Sequence, residues 1–249
     1  PTAAPAAAEP VAAAVVPTGV LDVGMAGKVG TWNASLMEQS YRQNRFDELI
    51  VNETLFFLNP DGAIEPRLIE TWDVTNGGLT TVLGLHKDAK WHDTFGDFGV
   101  VTADDFLWSL DQIYHSTRHS GQDDVADGFK CAGCVVTKVD EFTIKLERPT
   151  PTFIMSWGSA APIPGFTLHS KDHFEAVGAE LAQNQTVGAG PWSMDEYKTD
   201  EFRRVNAVED HYRKTPNWSQ LIWWDIREES TRLANFTTGV LDTGIFTDE

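Results

Sequence analysis

Three groups of residues have types and spacings that could do chemistry. Cys131 and Cys134 enclose Ala132 and Gly133 in a C-x-x-C, a spacing shared by zinc ligands, redox dithiols and small local disulfides. Zinc would need two more ligands, and no second C-x-x-C or nearby histidine pair supplies them. A redox dithiol opens a helix after a strand, whereas Gly128-Phe129-Lys130 before the pair and Val135-Val136 after it read as a loop entering a strand. Two readings stay open: a local disulfide, as an oxidising compartment would give, or two inert thiols in a loop. His92-Asp93 sets an imidazole beside a carboxylate, the pairing of acid-base catalysis. It stands just before the polar stretch Thr94–Gly99, so its expected role is to hold that loop by side-chain hydrogen bonds. His115 and His119 have helical i, i+4 spacing but no H-E-x-x-H around them. Gly188-Ala189-Gly190 has the look of a phosphate loop, yet no Lys-Ser/Thr follows and Pro191 blocks a helix start with free amides. A turn from helix to strand is expected there. Without a G-x-S-x-G or other organised constellation, the chain is expected to be no enzyme and to hold no metal and no cofactor.

The elements that must position these groups follow from periodicity and turn chemistry. Val20–Met25 reads as a strand, and Tyr41 to Phe57, with Phe46, Leu49, Ile50 and Phe57 on one face, reads as an amphipathic helix. Asn59-Pro60-Asp61-Gly62 predicts a tight reversal into an extended segment reaching Trp72, and Asn76-Gly77-Gly78 a second reversal into a strand over Thr80–His86. Thr102 with Asp105 forms a near capping box for a helix from about Ala103 to Thr117. Val135–Val139 and Phe142–Leu146 make a hairpin through Asp140-Glu141. Phe153–Phe166, uncharged and rich in Gly and Pro, fits a buried or cleft-lining crossing segment. Ser170 caps a helix that puts Phe174, Val177 and Leu181 on one face. Strands are expected over Phe202–Val208 and Leu221–Ile226, then a short helix from Glu229 with Gly239 just past its end.

Composition bounds the partners. The chain has 249 residues, 41% of them hydrophobic, enough to bury a sizeable core. Its 19 basic and 37 acidic side chains give a net charge of −18, which argues against nucleic acid because little would neutralise a polyanion. No run of about 18 apolar residues is present. Residues 1–19 are an Ala/Pro-rich stretch expected to be a disordered linker, with a folded lobe over 20–249. A spacer of this kind fits an exported protein, periplasmic or extracellular, with tethering through a lipid anchor left open.

Four blocks, in order, carry a resemblance. Glu53–Val74 resembles a "Y-E-x-L … D-G … P-x-L-A-x-S-W" opening; Leu85–Asp93 and Val101–Ser109 resemble "L-R-x-G-V-K-F-H-D-G" and "F-T-A-E-D-V-x-x-S". Val187–Trp192 resembles "V-G-T-G-P-Y", with Ala189 where Thr is usual, and Glu229–Asp242 resembles "D-x-S-T-R-L-A-A-L-x-S-G-E-I-D". These are motifs of the family 5 solute-binding proteins of ABC transporters. The chain departs from them at Thr94, where Gly is usual, and in a small insertion over Phe95–Val100. The resemblance implies an α/β, periplasmic-binding-protein-like fold (type II, cluster C): lobe I with an inserted subdomain and a mixed sheet, the second lobe lying outside this chain. It implies capture of a peptide or other small solute and delivery to an ABC permease. It places Thr31, Trp32 and Asn33, in the loop after the first strand, and Trp157, in the crossing segment, at the ligand. In the whole family Leu221–Ile226 lies beside later segments, so here it is expected to leave an apolar edge exposed, with marginal stability or self-association. A transport-inactive surface module on the same fold is the alternative; a secreted hydrolase is a weaker one.

Overall fold

Strand periodicity sorts the chain into two sheets with separate cores. The computed structural model describes residues 15–26, 51–59, 61–115, 129, 131–151, 168–182, 185–198 and 200–246. In chain order its elements are β1 (Val20–Met25), β2 (Phe56–Leu58), β3 (Ile64–Pro66), β4 (Ile69–Thr75), β5 (Thr80–Leu85), α1 (Ala103–His115), β6 (Val135–Asp140) and β7 (Thr143–Glu147). There follow α2 (Lys171–Val177), α3 (Ala179–Ala182), β8 (Trp192–Lys198), β9 (Phe202–Ala207), β10 (Gln220–Asp225), α4 (Glu229–Thr237) and β11 (Thr243–Gly244). One sheet runs β11-β1-β10-β9-β8, the other β4-β5-β7-β6, and β2-β3 is a separate hairpin.

The four-stranded sheet is antiparallel throughout: two local hairpins, β4-β5 and β6-β7, joined where Thr80 of β5 pairs with Glu147 of β7. Its alternation is plain: Thr81, Leu83 and Leu85 of β5 and Ile144 and Leu146 of β7 are buried, while their neighbours face outward. The buried face joins Phe106 and Leu110 of α1 in one apolar cluster. The capping box forms as expected, with an Asp in place of the usual Glu: the Thr102 amide and hydroxyl both donate to Asp105 Oδ2, at 2.9 and 2.8 Å. The Asp105 amide returns a long bond of 3.4 Å to Thr102 Oγ1. Lys138 Nζ of β6 reaches Asp104 at 2.6 Å and ties the helix to the sheet.

The five-stranded sheet is mixed. β1 pairs in parallel with β10 on one side and β11 on the other, while β9 and β8 run antiparallel. Leu21, Val23, Val205, Leu221, Trp223 and Met194 fill the second cluster together with Val51.

Three expectations are corrected. Phe56 and Phe57 do not end a helix. They open β2, because Asn59 closes a hairpin: its Oδ1 accepts from the Asp61 and Ala63 amides and its Nδ2 donates to Glu65. Residues 41–50 of the expected helix lie outside the described residues. The face Phe174-Val177-Leu181 is broken at Gly178, whose φ of +80° ends α2, and Leu181 is exposed while His173 is buried. Leu221–Ile226 is no apolar edge, since β10 (Gln220–Asp225) is central, flanked by β1 and β9.

Of the two readings of the C-x-x-C, the disulfide is the one found: Cys131 and Cys134 are bonded, and the Cys134 amide donates to the Cys131 carbonyl at 2.8 Å in the turn leading into β6. Closing so short a loop removes little chain entropy, so replacing both cysteines by serine is expected to lower unfolding free energy by no more than about 2 kcal/mol. Urea denaturation of the Cys131→Ser/Cys134→Ser chain checks this.

Candidate functional site

Three parallel strands end on one side of the mixed sheet. β1 stops at Met25, β10 at Asp225 and β11 at Gly244, and the Ile226 amide donates to the Met25 carbonyl at 3.1 Å. In open α/β sheets the crevice outside the carboxyl ends of such strands is where ligands bind. Arg232 of α4 organises this edge. It is buried, with Nε donating to the Ile245 carbonyl at 3.0 Å and Nη1 to the carbonyls of Ile226 and Arg227 at 2.6 and 2.8 Å. The space it needs comes from Gly24, where a side chain would meet Leu241 Cδ1 at 2.6 Å and the Arg232 stem at 3.6 Å. Periodicity gave no hint of this arginine, which occupies the buried side of a short helix.

Of the residues expected at the ligand, Thr31, Trp32, Asn33 and Trp157 lie outside the described residues. The chain enters the segment holding the first three from this edge, directly after β1. His119 and Phe153–Phe166 also lie outside them.

The two sheets meet at a second group of residues that sequence reasoning missed. Residues 187–190 run buried between them. His92 was expected to hold the loop Thr94–Gly99; it grips residues 188–190 instead. Its amide donates to the Gly188 carbonyl at 2.8 Å, its Nδ1 accepts from the Gly188 amide at 3.3 Å, and its Nε2 reaches the Gly190 carbonyl at 2.8 Å. The loop at 94–99 holds itself, through the Asp93 carbonyl to the Gly96 amide and Asp97 Oδ1 to the Gly99 amide. His211 adds a second grip: Nε2 reaches the Ala189 carbonyl at 3.1 Å, while Nδ1 accepts from the amides of Arg213 and Lys214 at 3.4 and 3.3 Å. The Val187–Trp192 stretch is therefore the expected turn into β8, with no phosphate-loop geometry, but a buried and tightly held one.

Beside it lies a charge pair with a buried carboxylate and a half-buried arginine. Glu53, 5% exposed, accepts from Arg213 Nη2 at 2.8 Å and Nε at 3.2 Å, and Arg67 stacks over the Phe57 ring at 4.5 Å. Burial pushes the Glu53 carboxyl above its ordinary range, and Arg213 pulls it part of the way back. A cavity of about 720 Å³ opens near the opposite end of β10, past the end of β9, with Lys90, His92, Asp93, Asp97, Ser193 and Glu209 among its walls. Among the described residues no group of three His, Cys, Asp or Glu side chains could hold a metal ion.

Two outcomes follow from this joint. Burial lowers both His92 and His211 from about 6.5 to about 4, and for His211 the nearby Arg213, His92 and Arg67 lower it further. A histidine lowered on folding leaves the unfolded chain holding more protons between the two values, so stability should be full above pH 6.5 and fall as pH drops toward 4. The loss for His92 is expected to be up to about 3 kcal/mol, and urea midpoints across that range check it. Glu53 and Asp105, both raised by burial, act in the opposite sense. Arg213→Met, which strands a buried carboxylate, should cost about 3 kcal/mol, and Glu53→Gln in the same chain should recover part of it.

The comparisons fit this architecture. The sequence model described as bacterial extracellular solute-binding proteins, family 5 Middle, matches residues 63–248. The chain is 24% identical over 231 residues to "Heme-binding protein A" of Haemophilus influenzae, covering 86% of this chain and 41% of that protein. It is 25% identical over 215 residues to "Di/tripeptide-binding protein 4" of Pseudomonas aeruginosa, covering 80% of this chain and 39% of the relative. The solved structure of MoaA from A. tumefaciens R10 with mannopinic acid superposes with a TM-score of 0.78 at 22% identity, over 92% of this chain and 45% of that one. A dipeptide-binding protein of Pseudoalteromonas sp. SM9913, solved with Met-Leu, gives 0.73 at 18% identity, over 90% and 47%. The chain thus spans less than half the length of these relatives. With the family's fold, its motifs in order and a matched region that takes in β4 through β11, the chain belongs to the family 5 bacterial extracellular solute-binding proteins.

Proposed function

We propose that the chain is the first-lobe part of an extracytoplasmic receptor that captures a peptide or similar small solute and hands it to an ABC permease. In this reading residues 20–249 are the lobe, 1–19 a spacer ahead of it, and the protein works in the periplasm or outside the cell. The observation that carries this reading is the shared ending of the parallel strands β1, β10 and β11, the side of an open α/β sheet on which ligands bind, from which the chain passes directly into the segment holding Thr31, Trp32 and Asn33. Relatives whose names give dipeptides, tripeptides or heme as ligands share that framework, so the framework leaves the solute open and peptide leads by their number. Capture in a receptor of this kind comes from contacts made only when the ligand is enclosed, and calls for no reacting group. The acidic surface, at a net charge of −18, disfavours polyanionic solutes.

The test uses the receptor as its host produces it. Deleting the gene should abolish uptake of at least one labelled di- to pentapeptide, and the purified receptor should bind that peptide. Trp32→Ala and Trp157→Ala, which remove an aromatic contact, should each weaken binding about tenfold with unchanged circular dichroism. Uptake intact for every peptide and other solute tried, with no binding, would favour the transport-inactive module.

A further inference from the structure

The joint between the sheets carries two buried histidines on one short loop. Each sheet has its own apolar cluster, and the chain segment ahead of β8 reaches into that of the four-stranded sheet through Val187 and Ala189, while Phe95 packs against both. Beside that apolar contact and the Gly190 amide bond to the Val51 carbonyl, a polar clasp holds the loop: His92 and His211 bind three successive residues, 188–190. The hydrogen bonds fix the protonation of both rings. Backbone amides can only donate, so Nδ1 of His92, facing the Gly188 amide, and Nδ1 of His211, facing the Arg213 and Lys214 amides, must each be bare. Each Nε2 then carries the one hydrogen and donates to a carbonyl.

A proton added at either Nδ1 would oppose N–H to N–H in a site with little water. The charged neighbours offer scant relief. Asp93 is the acid that faces His92; around His211 stand Arg213, Arg67 and His92 itself, with the Tyr212 ring against it at 4.5 Å. Glu53, the nearest buried carboxylate to this group, is already engaged by Arg213. The loop is seated closely against the Val51 backbone. A side chain at Gly188 would begin 2.0 Å from the Val51 carbonyl oxygen, so backbone already touches backbone there. The joint is also incompletely satisfied: Asn52 is wholly buried, and neither its Oδ1 nor its Nδ2 has a partner.

We propose that this joint is an acid-opened latch: protonating His92 and His211 frees residues 187–190 and uncouples the two sheets while the strands of each stay paired. The latch stands whether or not the receptor reading holds, since it rests only on the joint.

Hydrogen exchange on the purified chain, corrected for the intrinsic pH dependence, tests it. Between pH 6.5 and pH 4.5 the amides of Gly188 and Gly190 should lose protection by about a hundredfold, while those of Leu83, Ile144 and Val205 in β5, β7 and β9 hold theirs. In a His92→Gln/His211→Gln chain, which cannot take up the protons, the Gly188 and Gly190 rates should be flat over that range. If that variant does not fold, ring proton shifts of the unaltered chain serve: both imidazoles should titrate below pH 5, together with the exchange change. The proposal is overturned if Gly188 and Gly190 stay protected to pH 4.5, or if they lose protection in step with Leu83 and Ile144. It is equally overturned by rings that titrate near 6.5, or by a glutamine variant that keeps the same pH dependence, which would assign the effect to carboxylates.

Discussion

The approach of the Gly188 backbone to the Val51 carbonyl is the constraint on which the rest of the molecule depends. It brings two chain segments into contact at a distance that tolerates no Cβ, and the Gly190 amide then donates to the same carbonyl at 2.8 Å. Around this point the histidines, Asn52 and the Glu53–Arg213 pair are packed, and from it β8 departs to complete the mixed sheet. The four-stranded sheet with its helix behaves as an insertion into the five-stranded one: the chain leaves the larger sheet after β1 and returns at β8.

Most of the local architecture could be read from the residues because local rules decide it. The Asp140-Glu141 hairpin, the Thr102–Asp105 box and the Ser170 cap are each a few adjacent residues whose side chains satisfy nearby backbone, and the Asn76-Gly77-Gly78 reversal rests on three adjacent residues at positive φ. The misreadings came where distant partners decide. Phe56 and Phe57 suit a helix or a strand equally, and the Asn59 hairpin settled the matter. Helical spacing carried through Gly178 on paper, although a positive φ there stops the helix.

The joint was opaque to sequence for the same reason. His92 lies 96 residues from the Gly188 amide it accepts from, and Arg213 lies 160 from Glu53. A glycine-rich turn signalled a change of direction but not that two imidazoles would clasp it. One signal was available in principle. Histidines next to apolar and aromatic residues, as in Trp91-His92 and His211-Tyr212, are candidates for burial, and a buried imidazole needs partners for both nitrogens.

The strand order has a consequence for how the molecule is made. β4 pairs with β5 and β6 with β7 as local hairpins, and β5 meets β7 once Glu147 is made, whereas Val20 of β1 must wait for Gln220. A ribosome delivering this chain from its first residue would release the smaller sheet complete, while the opening strand still lacked both of its neighbours. Assembly then proceeds from the middle outward, with closure of the larger sheet as the slow, non-local step. For that interval β1 is a solitary apolar strand, and its protection falls to whatever meets the emerging chain.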